Sequence, residues 1–208
     1  EARIDLAEGL NEPRDPVELH GEILFHRSAD RRMTKDAYVG CGSCHLEGAN
    51  DGQTWDFTER IEGLRNTTSL RGGGGLDGPL HWTGNFDEFQ DFEHDIRGYQ
   101  LGSGFMELAD FEATREQLGE PKAGLSEDLD AIATYLDSLV DVPRSPWRQA
   151  DGSMSEDALA GEAIFLSSGT GCADCHPPPT YTDSAWLGVD DPLLHDVGTL
   201  GEGSGKRR

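Results

Sequence analysis

The four cysteines of this 208-residue chain fall into two CxxC pairs, and a histidine follows each pair at once: Cys41-Gly42-Ser43-Cys44-His45 and Cys172-Ala173-Asp174-Cys175-His176. CxxCH is the spacing of covalent c-type haem attachment. Two thiols add to the porphyrin vinyl groups, whose separation the spacing matches, and the adjacent imidazole becomes the proximal iron ligand. Other uses of paired cysteines fit less well. Zinc ribbons set their pairs roughly 15–20 residues apart, whereas Cys44 and Cys172 are 128 positions apart. A thioredoxin-like pair needs a βαβ context that this pattern lacks, and a disulfide framework gives no reason for two identical His placements. Cys41, Cys44, Cys172 and Cys175 are therefore expected to carry two haem c groups, with His45 and His176 as the proximal ligands. Such attachment occurs outside the cytoplasm, so the expected location is periplasmic or extracellular.

The sixth ligand of each iron decides between electron transfer and chemistry on a bound molecule. Five other His (20, 26, 81, 94 and 195) and three Met (33, 106 and 154) are available. Met106 follows the flexible Leu101-Gly102-Ser103-Gly104-Phe105 run, where a returning chain could present a thioether, and is the expected distal ligand of the first haem. His81, in Leu80-His81-Trp82-Thr83-Gly84, is the alternative, and His94 a weaker one. Met33, among Arg31, Arg32 and Lys35, reads as exposed loop; His20 as packed or hydrogen-bonded on the first helix; His26 as solvated. Only 32 residues follow His176, and they contain His195 but no Met. His195 is thus the downstream candidate for the second iron, competing with a simple hydrogen-bonding role. The second iron is expected to be open, water-bound or completed from elsewhere.

The elements that position these groups read as mainly helical with long Gly-rich loops. A helix opens near Pro16, proline being suited to a first turn. Leu129, Ile132, Ala133, Leu136, Leu139 and Val140 form a single apolar stripe at the 3.6-residue period, giving a helix over 126–140. Phe86–Arg97 reads as a short helix, and Arg71-Gly72-Gly73-Gly74-Gly75 as loop. Gly21-Glu22-Ile23-Leu24-Phe25 before the first motif returns as Gly161-Glu162-Ala163-Ile164-Phe165 before the second, with 15 and 6 residues to the following Cys. Two units on one plan imply duplication: an N-terminal extension at 1–14, a first domain at 15–140, a linker at 141–152 around Pro143 and Pro146, and a second domain at 153–208.

Composition limits the partners. Seventeen Lys+Arg against 40 Asp+Glu give a formal charge of −23, which excludes phosphate-neutralising nucleic-acid binding. No apolar run reaches the ~18 residues of a membrane span. The acidic surface could steer a cationic redox partner or reflect a salty habitat. Hydrophobic residues are only 35%, and a large apolar cofactor would supplement so thin a core. A calcium ion is conceivable from the carboxylates, although no D-x-D-x-D-G loop supports it. The chain starts at Glu1 without Met or an apolar leader, so a removed export signal, or membership of a larger polypeptide or assembly, is expected.

These residues resemble the di-haem cytochrome c peroxidase and MauG-like superfamily over about Asp15–Thr199. The resemblance is carried by both CxxCH motifs, Asp51-Gly52-Gln53-Thr54-Trp55, Leu64-Arg65-Asn66-Thr67-Thr68-Ser69-Leu70, His81-Trp82-Thr83-Gly84, Tyr181-Thr182-Asp183 and Leu194-His195-Asp196-Val197-Gly198-Thr199. It implies two cytochrome-c-like helical domains, each cradling one haem, with Trp82 near the route between them. It also implies peroxide reduction as the alternative function. The peroxidases place a distal His between the first CxxCH and the Arg-Asn motif, but Leu46–Leu64 contains no His. An exported carrier of single electrons is therefore the first expectation, ahead of a peroxidase.

Overall fold

A computed structural model of the chain describes residues 14–60, 63–72, 79–142, 144–188 and 191–195. Short helices joined by long loops make up most of it. The helices are α1 Pro16–His26, α2 Glu93–Gly98, α3 Leu108–Ala113, α4 Glu127–Ser138 and α5 Glu156–Phe165. Strands β1 Thr54–Phe57 and β2 Gly63–Asn66 pair antiparallel, as do β3 Trp186–Gly188 and β4 Asp191–Pro192. No helix among the described residues is long and apolar enough to cross a membrane.

Both helices that build the core begin as their sequences dictate. Asp15 caps α1 by accepting from the Val17 N–H at 2.7 Å, with Pro16 in the first turn. Ser126 caps α4 by accepting from the Leu129 N–H at 3.3 Å, ahead of Glu127, Asp128 and Asp130, whose charges suit the positive end of a helix. The two helices cross where Gly21 meets the backbone of α4: a Cβ there would lie 1.9 Å from the Ala131 carbonyl oxygen. This contact seals Leu24 and Phe25 against Leu129, Ile132, Tyr135 and Leu136. The expected stripe on α4 therefore holds, except that the helix ends before it does, leaving Val140 exposed. Ala131 and Tyr135, outside the stripe, are buried as well.

Two expectations need correction. Met33 is fully buried in the same cluster, not on an exposed loop; a bridge between Thr34 and Leu101 turns it inward while Arg31 and Lys35 remain outside. The expected helix at 86–97 forms only from Phe89, as a 3-10 turn over Phe89–Phe92 running into α2. The hairpin β1–β2 had no clear alternation to announce it, because its side chains are mostly exposed on both faces.

In residues 151–185 and 193–195 no side chain is buried. That region holds α5, capped by Ser155 on the Ala158 N–H at 3.2 Å, then the second CxxCH. Residues 141–142 and 144–151 are exposed and lack helix and strand. Residues 1–13, the glycines at 73–75 and the end of the motif after His195 lie outside the described residues.

Candidate haem-binding sites

The two CxxCH motifs adopt one conformation. Cys41–Ser43 and Cys172–Asp174 are 3-10 turns. In the first, Cys41 O accepts from Cys44 N–H at 3.3 Å and His45 N–H at 3.0 Å; in the second, Cys172 O accepts from Cys175 N–H at 3.4 Å and His176 N–H at 3.0 Å. Each turn thus sets two thiols and an imidazole on a short, internally bonded loop.

The imidazoles are held alike. His45 Nδ1 lies 3.0 Å from the Thr68 carbonyl oxygen, and His176 Nδ1 lies 2.9 Å from that of Tyr181. A carbonyl can only accept, so Nδ1 carries the proton and Nε2 keeps its lone pair, the tautomer and orientation an iron ligand needs. Burial holds the His45 imidazole below the usual histidine range, which favours its neutral, ligating form. Burial also pushes the Cys41 thiol up to about 12 and raises Cys44. Thiol redox catalysis depends on a lowered pKa, so these values fit attachment and not nucleophilic work. The donor set, two thiols and an Nε2 lone pair per turn, suits haem c at both places.

Cys41 packs on the apolar cluster that contains Met33 and Met106, with its sulfur 3.9 Å from that of Met33. Met106 is delivered by a brace that the sequence reading missed. The buried Glu93 carboxylate accepts from the Phe105 and Met106 N–H groups at 3.0 and 3.1 Å and from Arg97 Nε at 2.7 Å. Arg97 also donates to the Met106 carbonyl, and Ser126 Oγ donates to that of Phe105 at 3.1 Å. Gly104 passes over this pair at φ +88°, where a Cβ would lie 2.0 Å from Glu93 Oε1. The Glu93–Arg97 spacing of four on one helix face was the available signal.

Of the other candidates, His81 and His195 hold side-chain partners, whereas His94 does not. His81 Nδ1 is 2.9 Å from Asn85 Oδ1 and its Nε2 3.6 Å from Asp95 Oδ2, with the ring against Phe86 and Phe92. His94 lies beside Phe111, held below the usual histidine range mainly by burial, and its buried Nε2 has no hydrogen-bond partner. His195 Nε2 is 2.8 Å from Asp183 Oδ2, and Cys175, Asp183 and His195 offer ligand atoms within 4.8 Å of one another. His20 pairs with Asp128 at 2.6 Å, and His26 reaches the Tyr135 hydroxyl at 3.3 Å. Asp87, Glu88 and Asp91 also converge, but the Lys122 ammonium already sits 2.8 Å from Asp91, both side chains being wholly buried.

Three consecutive residues, beginning with the last of β2, tie the first site together. Asn66 O accepts from Trp82 Nε1 at 3.0 Å, Thr67 Oγ1 from Trp55 Nε1 at 3.1 Å, and Thr68 O from His45. Half-exposed Trp82 is thus two residues along the backbone from the carbonyl that orients His45.

No family model matches the chain. It is 32% identical over 185 residues to hydrazine synthase subunit gamma of Kuenenia stuttgartiensis, an alignment covering 86% of this chain and 47% of that protein. In structure it is similar to a chain of Kuenenia stuttgartiensis hydrazine synthase pressurised with 20 bar xenon, with a TM-score of 0.58 and 26% identity over 83% of this chain and 54% of the other. The chain therefore spans about half the length of the relatives it matches. This corrects the resemblance drawn from motifs: they are short and concern haem handling, which different reactions share, and over most of its length the chain is similar to hydrazine synthase subunit gamma and not to the di-haem peroxidases and MauG-like proteins.

Proposed function

We propose that the chain is an exported c-type cytochrome with two haem c groups that moves single electrons as part of a hydrazine synthase-like assembly. The observation that carries this reading is the repeated CxxCH geometry, with both Nδ1 atoms on carbonyls, which leaves the imidazole lone pair on Nε2. Cys41 and Cys44 hold one group and Cys172 and Cys175 the other, within units at 15–140 and 153–208; His45 and His176 are the proximal ligands. A haem iron so held supplies a one-electron centre.

The residues divide the labour unequally. Met106, fixed by Glu93 and Arg97, offers a thioether to the first iron, which raises the reduction potential relative to bis-imidazole ligation. His81 would have to leave Asn85 and Asp95 to do so. Near the second motif His195 is tied to Asp183, so the second iron stays open, binds water or takes its sixth ligand from a further segment or a partner. Trp82 and the Asn66–Thr68 strip give a short covalent and hydrogen-bonded path from the surface to His45. The acidic surface suits a cationic redox partner, and calcium has no part in the reading, Lys122 already neutralising Asp91. The likeness to hydrazine synthase subunit gamma supports assigning the chain to such an assembly.

Optical and electrochemical titration of the haem-loaded chain tests this. Met106→Ala should abolish a thioether-to-iron absorption band and lower one of two potentials, while His81→Ala leaves both unchanged. A band lost only in His81→Ala, or two irons that both refuse an added ligand, would contradict it.

A further inference from the structure

Phe105 and Met106 are gripped from a second side. The Glu93–Arg97 brace holds their backbone from α2. Opposite it, residues 31–35 run along residues 100–104. Lys35 N–H donates to the Gln100 carbonyl at 3.1 Å, Ser103 N–H to that of Arg31 at 3.1 Å, and Gly104 N–H to that of Arg32 at 3.0 Å. The approach needs Gly102, where a Cβ would lie 2.1 Å from the Arg32 carbonyl oxygen. It also sets the Arg32 guanidinium over the Phe105 ring, 4.5 Å from its centroid.

Arg32 is itself fixed in place. Its Nη2 donates to Asp30 Oδ2 at 2.8 Å and its Nε to Asp30 Oδ1 at 3.2 Å, while Nη1 donates to Asp128 Oδ2 on α4. The hydrogen bonds from Arg32 hold the Asp30 carboxyl below the usual carboxylate range. The other oxygen of Asp128 lies 2.6 Å from His20 Nε2 on α1. A guanidinium is planar, always charged and forked, so its edge can serve two carboxylates while its face rests on an aromatic ring. The side chain is 40% exposed, and ion pairs in contact with solvent add little stability. What this arrangement fixes is a position, and the position belongs to the residue immediately before Met106.

We propose that Arg32 is a positioning residue for the sixth ligand of the first haem: its guanidinium face fixes Phe105, and through it the Met106 thioether, and its edge ties that loop to α4 through Asp128. The proposal rests on the reading of Met106 as that ligand. Without the clamp Met106 stays in the same apolar cluster but spends less time in its ligating position, so an added ligand competes more easily.

The test adds imidazole to the full haem-loaded chain. Loss of the thioether-to-iron band as imidazole displaces the thioether follows the first haem alone. Half-displacement should need about tenfold less imidazole in Arg32→Ala than in wild type, because a thioether held tenfold less favourably is displaced tenfold more easily. Arg32→Lys keeps the charge beside Asp30 and Asp128 but loses the flat face on Phe105, and should fall between the two. Thermal unfolding of the same variants separates a merely structural role. A lowered midpoint with an unchanged imidazole requirement would overturn the proposal, and so would an Arg32→Lys chain that matches wild type. If Arg32→Ala does not fold, the lysine form carries the decision. Met106→Ala tests the underlying reading separately. A band that survives Met106→Ala removes Met106 as the ligand and this proposal with it. A band lost there, beside Arg32 variants that titrate as wild type does, overturns the proposal alone.

Discussion

The first CxxCH unit is built around a core, whereas the second, in its described part, consists of surface. Around Cys41 the chain brings α1, α4 and the Met106 loop into one apolar cluster; around Cys172 it supplies a capped helix and a turn in which no residue is buried. Yet the turns and the His tethers agree within about 0.1 Å, 3.0 against 2.9 Å for the carbonyl contacts. The conformation of a haem-attachment turn is therefore a local property, set by its own hydrogen bonds, and does not depend on the core behind it. What the core adds in the first unit is a fixed position for Met106, the proposed sixth ligand.

The largest expected difference lies at the paired glycines. Gly21→Val has to push α1 off the Ala131 carbonyl and should cost about 3 kcal/mol or more of first-unit stability, since overpacking against backbone has no cheap relief. Gly161→Val, with open space around it, should shift the thermal midpoint little. Unfolding followed through Trp and haem signals would read both, and equal losses would break the comparison.

The aligned aliphatic pair should separate next. Leu24→Ala, at 2% exposure, is expected to cost about 2–5 kcal/mol, and Ile164→Ala, mostly exposed, less than about 1 kcal/mol. A third contrast concerns Glu93, for which the second unit has no described counterpart. Glu93→Gln weakens the charge-assisted bonds to Arg97 and the Met106 backbone, an expected loss of about 1.5–3 kcal/mol. The thioether band should weaken with it while the second haem's spectrum stays unchanged.

The smallest effect is one of pH. Burial depresses the protonation of His45 and His94 below the histidine value of 6.5. The unfolded chain then takes up protons before the folded one does, so this stability is fully present above pH 6.5 and is lost as pH falls below it. His94→Phe should flatten the fall in thermal midpoint between pH 7 and 5. A steeper fall would mean that His94 is protonated in the folded state.

Local features were legible in the sequence. Both attachment turns, the helix opening near Pro16, the helix from Ser126, the repeated Gly-Glu-x-x-Phe helix and the loop leading to Met106 all rest on residues within a few positions of one another. The rest depends on distant partners. Thr68 orients His45 from 23 residues away and Glu93 holds Met106 from 13, and neither spacing is fixed by any periodicity. Met33 was misplaced because its charged neighbours suggested solvent, whereas a turn closed by the Met33 and Thr34 N–H groups on the Asp30 carbonyl buries these two residues together. The peroxidase-like resemblance failed for a related reason: haem-handling motifs report the cofactor, while the reaction is set by what surrounds it.

Two covalently held haems, one on each CxxCH turn, are the centre of the account, and the mass of the intact chain under denaturing conditions tests them most directly. The polypeptide of 22.6 kDa should appear heavier by two haem groups after expression with export and haem attachment. It should lose one group in the double variant Cys41→Ala/Cys44→Ala and the other in Cys172→Ala/Cys175→Ala. A wild-type chain of bare polypeptide mass, of one haem only, or carrying zinc would contradict it.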